Sequence, residues 1–184
     1  MVRMLEWSAW RNNAGKLLVG AALVISPAAV WISPAGAQVP TCLGLPATII
    51  GTAGNDILDG TPGDDVILGL GGDDTINGLG GNDTICGGDG NDTIHGGDGN
   101  DVIQGDAGND TVYGDAGMDS IDGGDGNDVV QGGADDDDLR GGAGDDQLWG
   151  NDGNDYFNGG DGNDYCNGGR GRDAQDACER TDGI

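Results

Sequence analysis

Basic residues are scarce in this chain. Of 184 residues only seven are Lys or Arg, against 33 acids, and the formal net charge is −26. That scarcity excludes a nucleic-acid surface, which needs clustered Lys and Arg against phosphate. Glutamate is nearly absent: Glu6 and Glu179 are the only two, and the other acids are all Asp. A merely solvated acidic tail has no reason to avoid Glu, whereas turns and cation sites favour the shorter Asp arm. There is a single histidine, His95, and no catalytic constellation of Ser or Cys with His and a carboxylate can be assembled around it. Aromatic residues make up 4%, while Gly supplies 41 residues and offers no side chain to bury. An ordinary large core is therefore excluded. Low hydrophobicity with high charge is also the mark of disorder, and the preference for Asp over Glu is what argues against it.

Long apolar runs are confined to the N-terminus. Arg3, Arg11 and Lys16 precede a stretch from Leu17 to Ile32, and Pro34-Ala35-Gly36-Ala37 follows. A basic start, an apolar middle and a small-x-small end predict a secretory signal peptide over residues 1–37, cleaved after Ala37. The alternative is an uncleaved anchor, for which the run is short. Cleavage removes Glu6 and those three bases, leaving 32 acids and four bases, or −28. No second apolar run follows, so no membrane span is expected after cleavage.

From Gly51 the chain falls into nine-residue units without an insertion. Fourteen of them, starting at Gly51 and ending with the unit at Gly168, fill residues 51–176. Position 6 is always Asp: Asp56, Asp65, Asp74, Asp83, Asp92, Asp101, Asp110, Asp119, Asp128, Asp137, Asp146, Asp155, Asp164 and Asp173. Position 4 is Gly except at Asp135, and position 8 is apolar until Cys166 and Gln175. The unit from Gly96 to Gln104 shows the full pattern, G-G-x-G-x-D-x-U-x with U apolar. The first six positions are rich in Gly and Asx and read as turn. The last three read as a minimal strand whose position 8 faces inward. One turn and one strand cannot close a coil, but two units can. Eighteen residues per coil then stack Leu58, Ile76, Ile94, Val112, Val130, Leu148 and Cys166 on one side. Ile67, Ile85, Ile103, Ile121, Leu139, Phe157 and Gln175 stack on the other. Such a thin core does not offset chain entropy and self-repulsion unaided. A hard cation fits the need, because Ca2+ takes six to eight oxygens and mixes carboxylates with backbone carbonyls.

These repeats resemble the hemolysin-type calcium-binding repeat family, the RTX nonapeptide repeats, over nearly all of the chain beyond residue 50. The motif is known as a calcium-binding repeat of parallel β-helices. The resemblance implies an all-β fold, a right-handed parallel β-roll with two nonapeptides per coil and about seven coils. It implies Ca2+ between the turns of units n and n+2, so that Asp56 pairs with Asp74, Asp65 with Asp83, and so on through twelve pairs. Turn carbonyls would complete the sites, with Gly88, Gly90, Gly97, Gly99, Gly124, Gly126, Gly160 and Gly162 as candidates. Ten to twelve ions are expected, and twelve would take −28 to −4. Unit 132–140 departs from the pattern with Asp135, whose backbone is expected to be strained. Units 51–59 and 60–68 carry Thr52 and Thr61 at position 2, and the last unit carries Arg170 and Arg172. These end units read as caps, which solenoids need.

Four cysteines in a secreted chain suggest two disulfides, four free thiols being the alternative. A pairing of Cys42 with Cys166 or Cys178 would have to span the rod, and a disulfide needs Cα atoms within ~7 Å. Cys42–Cys86 and Cys166–Cys178 remain. The first would pin an N-terminal cap, residues 38–50, and the second would fold a C-terminal cap, residues 177–184, over the end of the core. Only 13 residues separate the cleavage point from the repeats, too few for a catalytic domain. The leading expectation is a secreted, non-enzymatic calcium-binding protein that folds on meeting extracellular Ca2+. The alternative is a calcium-dependent adhesion module for a cell-surface or glycan partner, presenting Tyr113, Trp149 and Tyr165 on one exposed face.

Overall fold

Alternating apolar residues at an eighteen-residue spacing can be buried together only if the chain coils back on itself once per spacing. The computed structural model describes residues 39–178 and 180–182, so the expected signal peptide lies outside the described residues. A hairpin of β1 (Thr41–Cys42) and β2 (Leu45–Pro46) comes first, and β3 (Ile49–Ile50) and β4 (Ile57–Asp59) begin the coils. Then follow β5 (Val66–Gly71), β6 (Thr75–Gly80), β7 (Thr84–Asp89), β8 (Thr93–Asp98), β9 (Val102–Ala107) and β10 (Thr111–Ala116). They continue as β11 (Ser120–Asp125), β12 (Val129–Ala134), β13 (Asp138–Ala143), β14 (Gln147–Asp152), β15 (Tyr156–Asp161) and β16 (Tyr165–Arg170). The short β17 (Ala174–Asp176) and β18 (Arg180–Asp182) end the solenoid. Among the described residues there is no helix.

Strands β3 to β17 with odd numbers form one eight-stranded sheet, and β4 to β18 with even numbers form the other. Within the repeats every neighbour is parallel and eighteen residues away, as where Thr93 faces Thr111 and Ile94 faces Val112. This is a parallel β-solenoid of about seven coils, two nonapeptides per coil. At a strand spacing of ~4.8 Å seven coils rise roughly 34 Å.

The strands are twice as long as expected. They run through positions 7, 8 and 9 and on through positions 1, 2 and 3 of the next unit, as in β8, where Gly97 and Asp98 still pair with Asp115 and Ala116. The reading of positions 1 to 3 as turn is corrected by this. Glycine disfavours a strand because it has no side chain to pack. Here that lack is a fit, since a Cβ on Gly69 would overlap the carbonyl oxygen of Gly87 in the next coil. The turn proper is confined to positions 4 to 6.

The two ladders meet in a single core. Position 8 from Ile67 to Cys166 is buried to 1% exposure or less. At the ends Leu58 is half-buried and Gln175 is exposed. Ile49, ahead of the first repeat, pairs with Ile67 and joins the core, as does Cys178 at the far end. A second, smaller cluster lies outside one sheet. Leu68 and Cys86, apolar at the outward position 9, are covered there by Cys42, Ala47 and Val66. The β1–β2 hairpin reaches this face through a turn with positive φ at both Leu43 and Gly44, the geometry that suits a two-residue hairpin. Cys42–Cys86 and Cys166–Cys178 are disulfide-bonded, with Cα atoms 5.7 and 6.1 Å apart.

Candidate metal centre

The turns of odd units stack along one edge of the solenoid and those of even units along the other. Each stack is tied by two columns of Asx side chains that run in opposite senses. At position 6, the backbone N–H of each Asp donates to Oδ1 of the Asp eighteen residues on. Asp56 donates to Asp74 at 2.8 Å, Asp65 to Asp83 at 2.8 Å, and the series continues to Asp155 and Asp173 at 3.1 Å. All twelve pairs expected from the repeat are thus brought together by a hydrogen bond. At position 5 the direction reverses: Asn82 Oδ1 accepts from the N–H of Asn100 at 2.8 Å, and Asn109 Oδ1 from Asn127 at 2.8 Å. The position 5 column was not foreseen. Its signal is in the sequence, since Asn or Asp fills that position in all units except those with Met118 and Arg172.

The position 6 carboxylates are buried, which a surface turn does not predict. Asp74 to Asp155 are no more than 3% exposed. Oδ1 of each has its N–H donor, but Oδ2 of Asp74, Asp83, Asp92, Asp101, Asp110, Asp119, Asp128, Asp137, Asp146 and Asp155 is buried without a hydrogen-bond partner. Leaving a buried acceptor unmatched is costly, and more so for a charged one. The titration reflects this. Burial pushes Asp74, Asp83 and Asp146 up to about 6, with neighbouring carboxylates adding to the shift and the backbone N–H opposing it. The same causes push Asp110, Asp119 and Asp137 up to about 7. Asp92, Asp101, Asp128 and Asp155 are raised as well, again first by burial.

Backbone carbonyls converge on the same edges. A Cβ on Gly90 or Gly99, at position 4, would overlap the carbonyl oxygen of Gly72 or Gly81 one coil earlier. Gly126 and Gly162 stand in the same relation to Gly108 and Gly144. At position 2, Gly88, Gly97, Gly124 and Gly160 face the carbonyls of Leu70, Leu79, Asp106 and Gly142. These eight glycines occupy the left-handed region, with φ between 100° and 152°, where only Gly sits at no cost. Asp135 takes φ 78°, a conformation that Asp tolerates better than most residues.

The donor set is all oxygen, mixing buried carboxylate with main-chain carbonyl. It suits a hard divalent cation such as Ca2+. Among the described residues no three His, Cys, Asp or Glu side chains converge on one point, so any shell here draws on carbonyls besides the Asp pairs. When bound, the cation would supply the positive charge that the unmatched Oδ2 atoms lack.

Tyr113, Trp149 and Tyr165 lie on the outer face of the even-numbered sheet, each half-buried and not fully exposed as expected. The His95 ring stacks on Tyr113 with centroids 4.5 Å apart, and its Nδ1 is 3.1 Å from Asp115 Oδ2. Trp149 meets Tyr165 edge-on at 6.1 Å.

The model of the RTX calcium-binding nonapeptide repeat fits this chain in four copies, over residues 50–85, 87–120, 113–148 and 140–174. A search of curated proteins gives no match.

Proposed function

The chain belongs to the RTX calcium-binding nonapeptide repeat family, and from that premise we propose a secreted, non-enzymatic protein whose coils form as Ca2+ enters the stacked turns. The observation that carries the reading is the run of buried Oδ2 atoms without a partner, one per turn from Asp74 to Asp155. The position 6 pairs and the carbonyls of positions 2 and 4 are its ligands, and ten to twelve ions its load. Secretion is supported by the basic-then-apolar N-terminus and by the two disulfides, which persist in oxidising compartments. A role without catalysis is supported by His95, which is held on the outer face between Tyr113 and Asp115. Extracellular calcium modules bind at ~10⁻⁴–10⁻³ M, so many weak sites would delay folding until after export. Circular dichroism of residues 38–184 titrated with Ca2+ tests this. The β signal is expected to rise with Ca2+ and not with Mg2+. Identical spectra in Ca2+, Mg2+ and EGTA would refute it.

The aromatic face favours a second reading, a calcium-dependent module for a glycan or cell-surface partner. Tyr113, Trp149 and Tyr165 on one sheet are its support, because half-buried rings still turn part of a face outward on which a ligand can rest. A glycan array in Ca2+ on which wild type and Trp149→Ala give the same pattern would remove it.

A further inference from the structure

The unmatched carboxylate oxygens begin at Asp74 and not at Asp56 or Asp65, and the reason lies in two threonines. Thr52 Oγ1 sits 2.8 Å from Asp56 Oδ2 and 3.1 Å from the carbonyl oxygen of Gly54. Thr61 Oγ1 holds the same place, 2.8 Å from Asp65 Oδ2 and 3.1 Å from the Gly63 carbonyl. The backbone N–H groups of Thr52 and Thr61 donate to those Oδ2 atoms as well, at 2.6 and 2.7 Å. Each hydroxyl oxygen is also 3.3 Å from the N–H of the Gly at position 4. The hydroxyl therefore stands between the position 6 carboxylate and the position 4 carbonyl, and two donors converge on an oxygen that has none in the turns of Asp74 to Asp155.

The backbone separates the two kinds of turn. Position 2 takes a positive φ in every unit from Leu70 to Gly169, whether the residue is Gly, Leu, Asp or Asn. Thr52 and Thr61 do not share it, and β-branched residues are the ones that region excludes most strongly. The conformation changes along with the residue, and the side chain is turned onto its own turn. Glycine at position 4 is under no constraint there: a Cβ on Gly54 meets nothing within 4 Å.

We propose that Thr52 and Thr61 close the first two turns with hydroxyl groups in the place where later turns hold a cation, so that the calcium array begins at Asp74. This rests on the calcium reading above. A hydroxyl donating to a carboxylate makes a charge-assisted hydrogen bond that satisfies the oxygen without metal. The N-terminal end of the solenoid then needs no calcium for its own turns, and its Asp residues are structural acceptors.

Native mass spectrometry of the disulfide-intact chain in saturating Ca2+ counts the ions. Asp56→Asn with Asp65→Asn keeps an acceptor for each Thr and is expected to leave the count at the wild-type value. Asp83→Asn with Asp92→Asn is expected to lower it. A loss of ions in Asp56→Asn/Asp65→Asn overturns the proposal. Should that variant lose its near-UV spectrum, Thr61→Gly decides: a gain of bound calcium supports the hydroxyl as the substitute, and an unchanged count overturns it. A wild-type chain that binds no calcium would refute the calcium reading and this inference together, and is distinguishable because no variant is needed to see it.

Discussion

Position 5 is where one side chain decides whether a turn column is continuous. Asn100 Oδ1 accepts the N–H of Met118 at 3.0 Å, but Met118 has no oxygen to offer Asp136 one coil later. Its side chain is instead 56% exposed. Met118→Asn supplies the missing acceptor and is expected to stabilise the calcium-loaded protein by about 1 kcal/mol, the net worth of one hydrogen bond. Thermal melts in Ca2+ check it, and a melting temperature at or below wild type would count against the ladder. The register made fourteen Asp at position 6 legible as a set, and it was the family resemblance that implied their pairing one coil apart. Neither made legible that the two oxygens of one carboxylate have different surroundings, or that position 5 does more than bend the chain. Both depend on atoms eighteen residues apart, and nothing local in a turn of Gly and Asx distinguishes a side chain that bonds its own turn from one that bonds the next. Thr52 and Thr61 were visible as departures, and their hydroxyl contacts were not.

At the level of strands, the inward-facing alternation was legible from Ile67 to Cys166, where position 8 forms both core ladders in the order the repeat gives, but not at the ends, where Gln175 is exposed and Ile49 and Cys178 join the core. The length of the strands was not. Glycine propensity argues against pairing at positions 1 to 3, yet a solenoid stacks each backbone on its own copy, so the ladder continues wherever a Cβ is absent on the crowded side. That crowding differs along the rod. A Cβ at Gly99 would overlap the Gly81 carbonyl, and its φ is 139°, whereas Gly54 at the same repeat position has open space. Gly99→Ala is expected to destabilise by about 3 kcal/mol or more, combining a backbone clash with a forced left-handed residue. Gly54→Ala should lie within about 0.5 kcal/mol of wild type. Urea denaturation in Ca2+ distinguishes them, and equal midpoints for the two variants would mean that the coils are not packed this closely.

For the whole molecule, the governing quantity is charge, −26 over the chain, and the buried Asp columns make it depend on pH. Asp74, Asp83 and Asp146 are pushed up to about 6, and Asp110, Asp119 and Asp137 up to about 7, against 3.8 for an exposed Asp. The metal-free fold therefore holds more protons than the unfolded chain between these values, and stability falls with pH wherever the native state binds the excess. Their contribution is fully present below about pH 4 and is lost as pH rises through 6 to 7. Protonation also relieves the self-repulsion of the rod. Calcium reverses the sense, because ligating carboxylates must be ionised and protons then compete with the metal. In EGTA the β signal is expected to be weak at pH 8 and to grow as pH is lowered to 5. In saturating Ca2+ it should be full at pH 8, and the gap between the two conditions should close toward acid. Circular dichroism at pH 8, 6.5 and 5, with and without calcium, measures both trends. An EGTA signal that is flat or increases with pH would mean that the position 6 carboxylates are not buried as a column. A gap that persists unchanged at pH 5 would mean that they are not what calcium binds.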